Sequence, residues 1–205
     1  MPRITDFALV ERAEQPSVIV SGRTPIAQLP ALIGSAFSKL GAYVADEGLE
    51  PADIPYVRFV DMGSMDDALV EVGFPLARPL PGAGDVAAGC VPGGRYVTFM
   101  FLGPNEDMGP AYEDMEVWLA QRGLVSSGQC IEQYYNGDPF PRDLALTGVS
   151  VLLARGCSAA VSHGRDGGQK REYSLSFVGN NRESGLSTRC YANRHVRRAS
   201  NAGKI

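Results

Sequence analysis

Histidine is nearly missing from this chain: its only two, His163 and His195, both lie beyond residue 154. The first 154 residues therefore offer no imidazole for a Ser-His or Cys-His relay, and none for a His-based metal site. The four cysteines, Cys90, Cys130, Cys157 and Cys190, stand far apart with no C-x-x-C pair. That spacing argues against zinc-ribbon and thioredoxin-like chemistry, and Cys90 and Cys130 read as small apolar core residues. There is no P-loop and no G-x-G-x-x-G; Gly89, Gly93 and Gly94 gather around Pro92 in a turn that precedes a strand. Neither a cofactor nor a metal is expected. No apolar run approaches the roughly 20 residues that span a bilayer. The opening Met1–Asp6 lacks the apolar stretch of a secretory signal. The expectation is a cytoplasmic protein with no membrane partner and with reduced thiols.

Positive charge is also scarce in most of the chain. Residues 1–154 hold 9 Lys and Arg against 20 Asp and Glu, a balance of −11, while residues 155–205 hold 10 against 3, a balance of +7. The net charge of −4 is thus a cancellation between two unlike segments. An acidic body makes nucleic acid a poor direct partner for that part. The division expected is a body over 1–154 and a basic, low-structure tail over 155–205. In the tail only Tyr173, Leu175, Phe177 and Val178 are conspicuous apolar positions, and Arg194, Arg197, Arg198 and Lys204 form a small basic cluster.

What is present in the body is a repeated pattern. Ser17–Ser21 reads as a strand, residues 30–47 as an amphipathic helix stopped by Gly48, and Tyr56–Val60 and Ala68–Leu76 as two more strands. After a Pro/Gly-rich connection, Arg95–Leu102 reads as a strand and Ala111–Arg122 as a helix stopped by Gly123. Cys130–Tyr135 and Leu146–Leu153 follow as strands. At an offset of 75, Phe37 falls on Tyr112, Leu40 on Met115, Tyr43 on Trp118, Val44 on Leu119, Gly48 on Gly123 and Phe59 on Tyr134. Helix periodicity alone does not align glycine stops and strands as well, so the pattern argues for internal repeats over about 17–76 and 95–153. The fold class expected is α+β: duplicated strand-helix-strand-strand units forming one antiparallel sheet with two main helices, and a cleft along the pseudo-twofold seam.

The ordered stretches Gln28–Phe37, Val70–Pro75, Pro92–Tyr96 and Leu102–Pro104 resemble the GyrI-like effector-binding family, also called the AraC-type bacterial effector-binding domain. The helix from Ala111-Tyr112 to Trp118, then Glu132–Tyr134 and Asp138-Pro139, continue the match to about residue 153. The family's fold is a duplicated strand-helix-strand-strand unit. The resemblance implies a bacterial small-molecule-binding protein, of multidrug-binding type, for amphipathic, cationic or aromatic compounds. Family regulators carry a DNA-binding domain ahead of this one. With some 16 residues before the first expected strand, a standalone member with no direct DNA-binding domain is expected. A transcription regulator or DNA gyrase as partner, and a monomer or a dimer, stay open. The match thins at its end, where Gly148 stands in place of an acid and Leu152 in place of a proline.

The resemblance places the family's buried pocket carboxylate on Glu132. A carboxylate among aromatics in a low-dielectric cleft attracts a cation far more strongly than one in water, whereas an isolated strand Glu is ordinarily solvated. Tyr134, two residues on, shares its strand face, and Phe59 is expected across the seam. Tyr56, Phe101, Tyr112 and Trp118 are further candidates for an aromatic wall, each with ordinary core packing as its alternative. Phe37 and Tyr43 are left with the core, and of two readings for Arg58, pairing with a neighbouring carboxylate or facing solvent, the second is expected. Some family members hydrolyse electrophilic natural products. For that activity Glu132 would be the general acid or base, with no other catalytic residue expected.

Overall fold

Runs of β-branched and aromatic residues form the strands here, and apolar residues at helical spacing form the two helices. The computed structural model describes residues 3–62, 66–137 and 139–155. The first half contains strands β1 (Ala8–Arg12) and β2 (Gln15–Thr24), helix α1 (Leu29–Asp46), and strands β3 (Tyr56–Asp61) and β4 (Ala68–Pro75). Short β5 (Gly82–Ala83) and β6 (Val86–Val91) lead into β7 (Gly94–Leu102), α2 (Gly109–Ala120), β8 (Ser126–Tyr134) and β9 (Leu146–Leu153). The expected tail lies outside the described residues, apart from Arg155.

The two helices are built alike. α1 buries Ala36, Leu40 and Val44, and α2 buries Ala111, Met115 and Leu119, each 75 positions on. Both carry a proline in the first turn, where a missing N–H costs nothing. Both stop at a glycine in the left-handed region, Gly48 at φ +65° and Gly123 at φ +63°. The Leu49 N–H then donates to Val44 O, and the Leu124 N–H to Leu119 O, each at 3.0 Å. This is the Schellman closure that satisfies the last carbonyls of a helix.

All strands pair antiparallel in one sheet of order β1-β7-β9-β8-β3-β4-β2-β6-β5. The inner six strands form two mirrored triplets, with the seam between β8 and β3. Each helix covers its own triplet, over one apolar cluster that includes Leu40, Val57 and Val70 and another that includes Phe99, Met115 and Val149. Cys130 touches both clusters.

The connection before the second half proved to contain β5 and β6, and β1 precedes the expected first strand. The run Ala87-Ala88-Gly89-Cys90 has too little apolar alternation to announce a strand; its pairing with β2 makes it one. Two residues, Ala13 and Glu14, join β1 to β2, and two, Pro92 and Gly93, join β6 to β7. The β1–β7 and β2–β6 pairings share one register, so two long strands cross as a ribbon that draws the sheet ends together. A Cβ on Gly93 would stand 2.8 Å from the Glu14 backbone nitrogen, which is why glycine occupies that crossing. The sheet therefore has a helix face and a face closed by the ribbon. β9 runs unbroken through Gly148, where a Cβ would meet the Tyr135 ring at 2.9 Å.

Candidate functional site at the seam

Strand alternation and register bring Glu132 to the centre of the helix face. One row of facing residues crosses the sheet as Phe99, Val149, Glu132, Val57, Val72 and Val20. Glu132 is the single ionisable group in that row and is only 6% exposed. Two phenols cap it. Tyr112 of α2 donates to Oε1 at 2.8 Å, and Tyr134 of β8 donates to Oε2 at 2.9 Å. Both phenols come from the second half, Tyr112 packing against the cluster under α2 and Tyr134 reaching across the seam to the one under α1.

The Tyr112 hydroxyl also lies 3.1 Å from Cys130 Sγ. A phenol has one proton; when Tyr112 gives it to Glu132, the Cys130 thiol is left as the donor to Tyr112. Burial drives every member of this group toward its neutral form. It raises the Glu132 carboxyl above its ordinary value of 4.5, outweighing the two phenol hydrogen bonds that lower it. It also pushes Tyr112, Tyr134 and the Cys130 thiol well up, with the nearby Glu132 charge adding to each. Among the described residues Glu132 has no cationic partner within salt-bridge distance.

The structure brings Glu132, Tyr134 and Tyr112 together and sets Phe59 beside them. Phe59 shares their face but lies opposite Cys130, so it is displaced along the seam from Tyr134. Phe101 is wholly buried under α2, on the strand next to β9. Trp118 sits on the flank of α2 opposite Tyr112, packed on Phe7 at 5.7 Å, with the Arg122 guanidinium 3.8 Å from its ring centroid. Tyr56 is on the other face of the sheet. It pairs with Gln133 and Gly73 and packs with Tyr96, Val91 and Ile131, so it cannot line a wall with Glu132. Tyr56 and Phe59 are three apart on one strand, and strand alternation puts them on opposite faces.

Arg58 does not face solvent as expected: it pairs with Glu71 at 2.9 Å and donates to Gln129 at 3.0 Å. Arg58 and Glu71 stand directly opposite on β3 and β4, a neighbour relation that only the strand register reveals. Cys130 does more than fill the core: its parity with Glu132 and Tyr134 on β8 is the sequence signal that places its thiol in the cluster. Phe37 packs on Phe74 at 5.6 Å, and the Tyr43 hydroxyl accepts the Gly82 N–H at 3.0 Å.

A family model of the GyrI-like small molecule binding domain matches residues 5–145. The chain belongs to this family. No curated protein matches the chain. Among solved structures, the EcmrR–DNA complex aligns with a TM-score of 0.63 at 18% identity, over 72% of this chain and 57% of that one. The chain thus spans little more than half of that relative. A hydrolase from Listeria innocua aligns at 0.56 and 12% identity, over 75% and 94% of the two chains. SAV2435, solved bound to tetraphenylphosphonium, aligns at 0.52 and 12% identity, over 74% and 95%. At these identities the likeness is one of fold. As a GyrI-like domain, the protein binds small molecules. No described helix is long and apolar enough to cross a membrane.

Proposed function

We infer that this GyrI-like domain binds amphipathic cations bearing aromatic groups, with Glu132 as the charge partner. The observation that carries the reading is a buried carboxylate at the seam, held by two phenols and by no cation among the described residues. Burial without a countercharge is costly for a carboxylate, and an entering cation supplies that charge in a low-dielectric site. Neither a cavity of about 620 Å³ against α1 nor one of about 340 Å³ on the ribbon face includes Glu132. Glu132 is only 6% exposed, and on this reading Tyr112 and Tyr134 turn from the carboxylate to admit the ligand and offer it their rings as stacking and cation–π surfaces. Sequestration and effector sensing both follow from this one binding event.

Hydrolysis fits the cluster less well. The neighbours of Glu132 are phenols and a thiol raised by burial, which keep their protons near neutrality and provide no second base.

The test uses tetraphenylphosphonium, the cation seen with the structural relative SAV2435. Titration by calorimetry should show saturable binding to the full chain, weakened at least about tenfold by Glu132→Gln. Equal affinity for wild type and variant would remove Glu132 from the site.

A further inference from the structure

The ribbon face holds a second place where a small molecule fits. A cavity of about 340 Å³ opens where the crossed ribbon passes over β3 and β8, on the side of the sheet away from Glu132. That volume falls in the range of small-ligand sites. Its floor is apolar: Val91, Ile131 and the ring of Tyr56 are all buried. The Tyr56 hydroxyl is already engaged with Ser17 Oγ at 2.9 Å, so Tyr56 offers its ring.

Polar groups are placed around that floor with bonding capacity left over. Gln133 lines the cavity and is only 8% exposed. Among the described residues its side chain makes one hydrogen bond, from Nε2 to Ile54 O at 3.4 Å, which leaves the carbamoyl oxygen without a donor. Among the described residues Arg58 Nε is the one fully buried side-chain polar atom without a partner, so the Gln133 oxygen is open to the cavity and can accept an N–H from a molecule entering it. At the rim, Arg12 has no carboxylate partner among the described residues; its guanidinium lies 5.5 Å from the Tyr96 ring centroid. Asp53, also on the rim, uses one carboxylate oxygen to accept the Ile54 N–H at 2.7 Å and keeps the other. The walls are tied down by backbone bonds from Ala52 N to Pro75 O at 2.8 Å and from Leu76 N to Pro16 O at 2.7 Å.

We propose that this cavity is a second binding site, for a zwitterionic amino acid with an apolar side chain. The ligand carboxylate meets Arg12, its ammonium meets Asp53 and the Gln133 oxygen, and its side chain lies on Val91, Ile131 and Tyr56. A guanidinium, a carboxylate, an amide oxygen and an apolar floor lining one cavity match that class better than a lipophilic cation. Arg12 repels such a cation, and the Gln133 oxygen favours an N–H that tetraphenylphosphonium lacks.

The test titrates the full chain with L-phenylalanine, phenylacetate and phenethylamine, followed by amide NMR shifts. Saturable binding of phenylalanine is expected, with shifts centred on Ala13, Asp53 and Gln133. Phenylacetate and phenethylamine should bind at least about tenfold more weakly. Arg12→Gln and Gln133→Met should each weaken phenylalanine roughly tenfold in variants whose urea unfolding shows them folded, and Glu132→Gln should leave it unchanged. Absent binding, full affinity in the Arg12 and Gln133 variants, half-ligands that bind as tightly as phenylalanine, or competition with tetraphenylphosphonium would each overturn the assignment.

Discussion

Phe37 in the first half of the molecule packs on Phe74, while Tyr112, its equivalent 75 residues on, turns a hydroxyl to Glu132. The same offset relates Val57 to Glu132 and Phe59 to Tyr134. Three equivalent positions are thus wholly apolar in one half and polar in the other. The three polar groups satisfy one another, since Tyr112 donates to one carboxylate oxygen and Tyr134 to the other. Val57 and Glu132 also stand opposite each other across the seam, so the carboxylate faces its own apolar counterpart. One backbone unit therefore serves as a plain core in its first copy and as a candidate binding site in its second. Two hydroxyls and a carboxylate account for the difference.

The largest break in this asymmetry is Val57→Glu. It sets a second buried carboxylate against Glu132 with no hydroxyls to cap it. A loss of about 3–5 kcal/mol is expected by urea denaturation. A loss below about 1 kcal/mol would mean that the seam is wetter than the packing shows.

Smaller effects come from making the second half resemble the first. Tyr112→Phe and Tyr134→Phe each remove one donor to a buried carboxylate and should cost about 1–2 kcal/mol. Each also deletes a hydrogen bond that lowers the Glu132 pKa, so the carboxyl should titrate still higher in either variant, as read by carbon NMR. An unchanged titration would show that the hydroxyls do not engage the carboxylate in solution.

The smallest effect is the dependence of stability on pH. The folded Glu132 carboxyl lies above its ordinary 4.5, so the native state keeps a proton over a range where the unfolded chain has lost it. The stability due to this group is complete below that ordinary value and is lost as pH rises through the raised folded value. The Tm of wild type minus that of Glu132→Gln should fall across that window. A constant or rising difference would contradict the burial of an ionisable carboxyl at the seam.

Much of this arrangement could be read in the sequence where the signal is local. Helix period fixes Ala36, Leu40 and Val44 and their equivalents, and a glycine needed at positive φ marks each helix end. β6 escaped because its small residues become a strand only by pairing with β2. The Arg58–Glu71 pair and the facing of Val57 and Glu132 depend on which strands are neighbours and in what register, information held between distant segments. Tyr56 was misplaced for a simpler reason: its parity relative to Phe59 was already in the sequence. Glu132 itself was singled out by resemblance. Its two caps come from α2 and from its own strand, and the reach of Tyr112 across the cluster under α2 is visible only in three dimensions.

The central claim, that the Glu132 carboxylate is the charge partner of a cationic ligand, is tested most directly by the pH dependence of tetraphenylphosphonium affinity. Binding requires the ionised carboxylate, so affinity should climb as pH rises through the elevated Glu132 pKa and then level off, and the climb should be absent in Glu132→Gln. An affinity in the wild type that does not change with pH across that range would contradict the account.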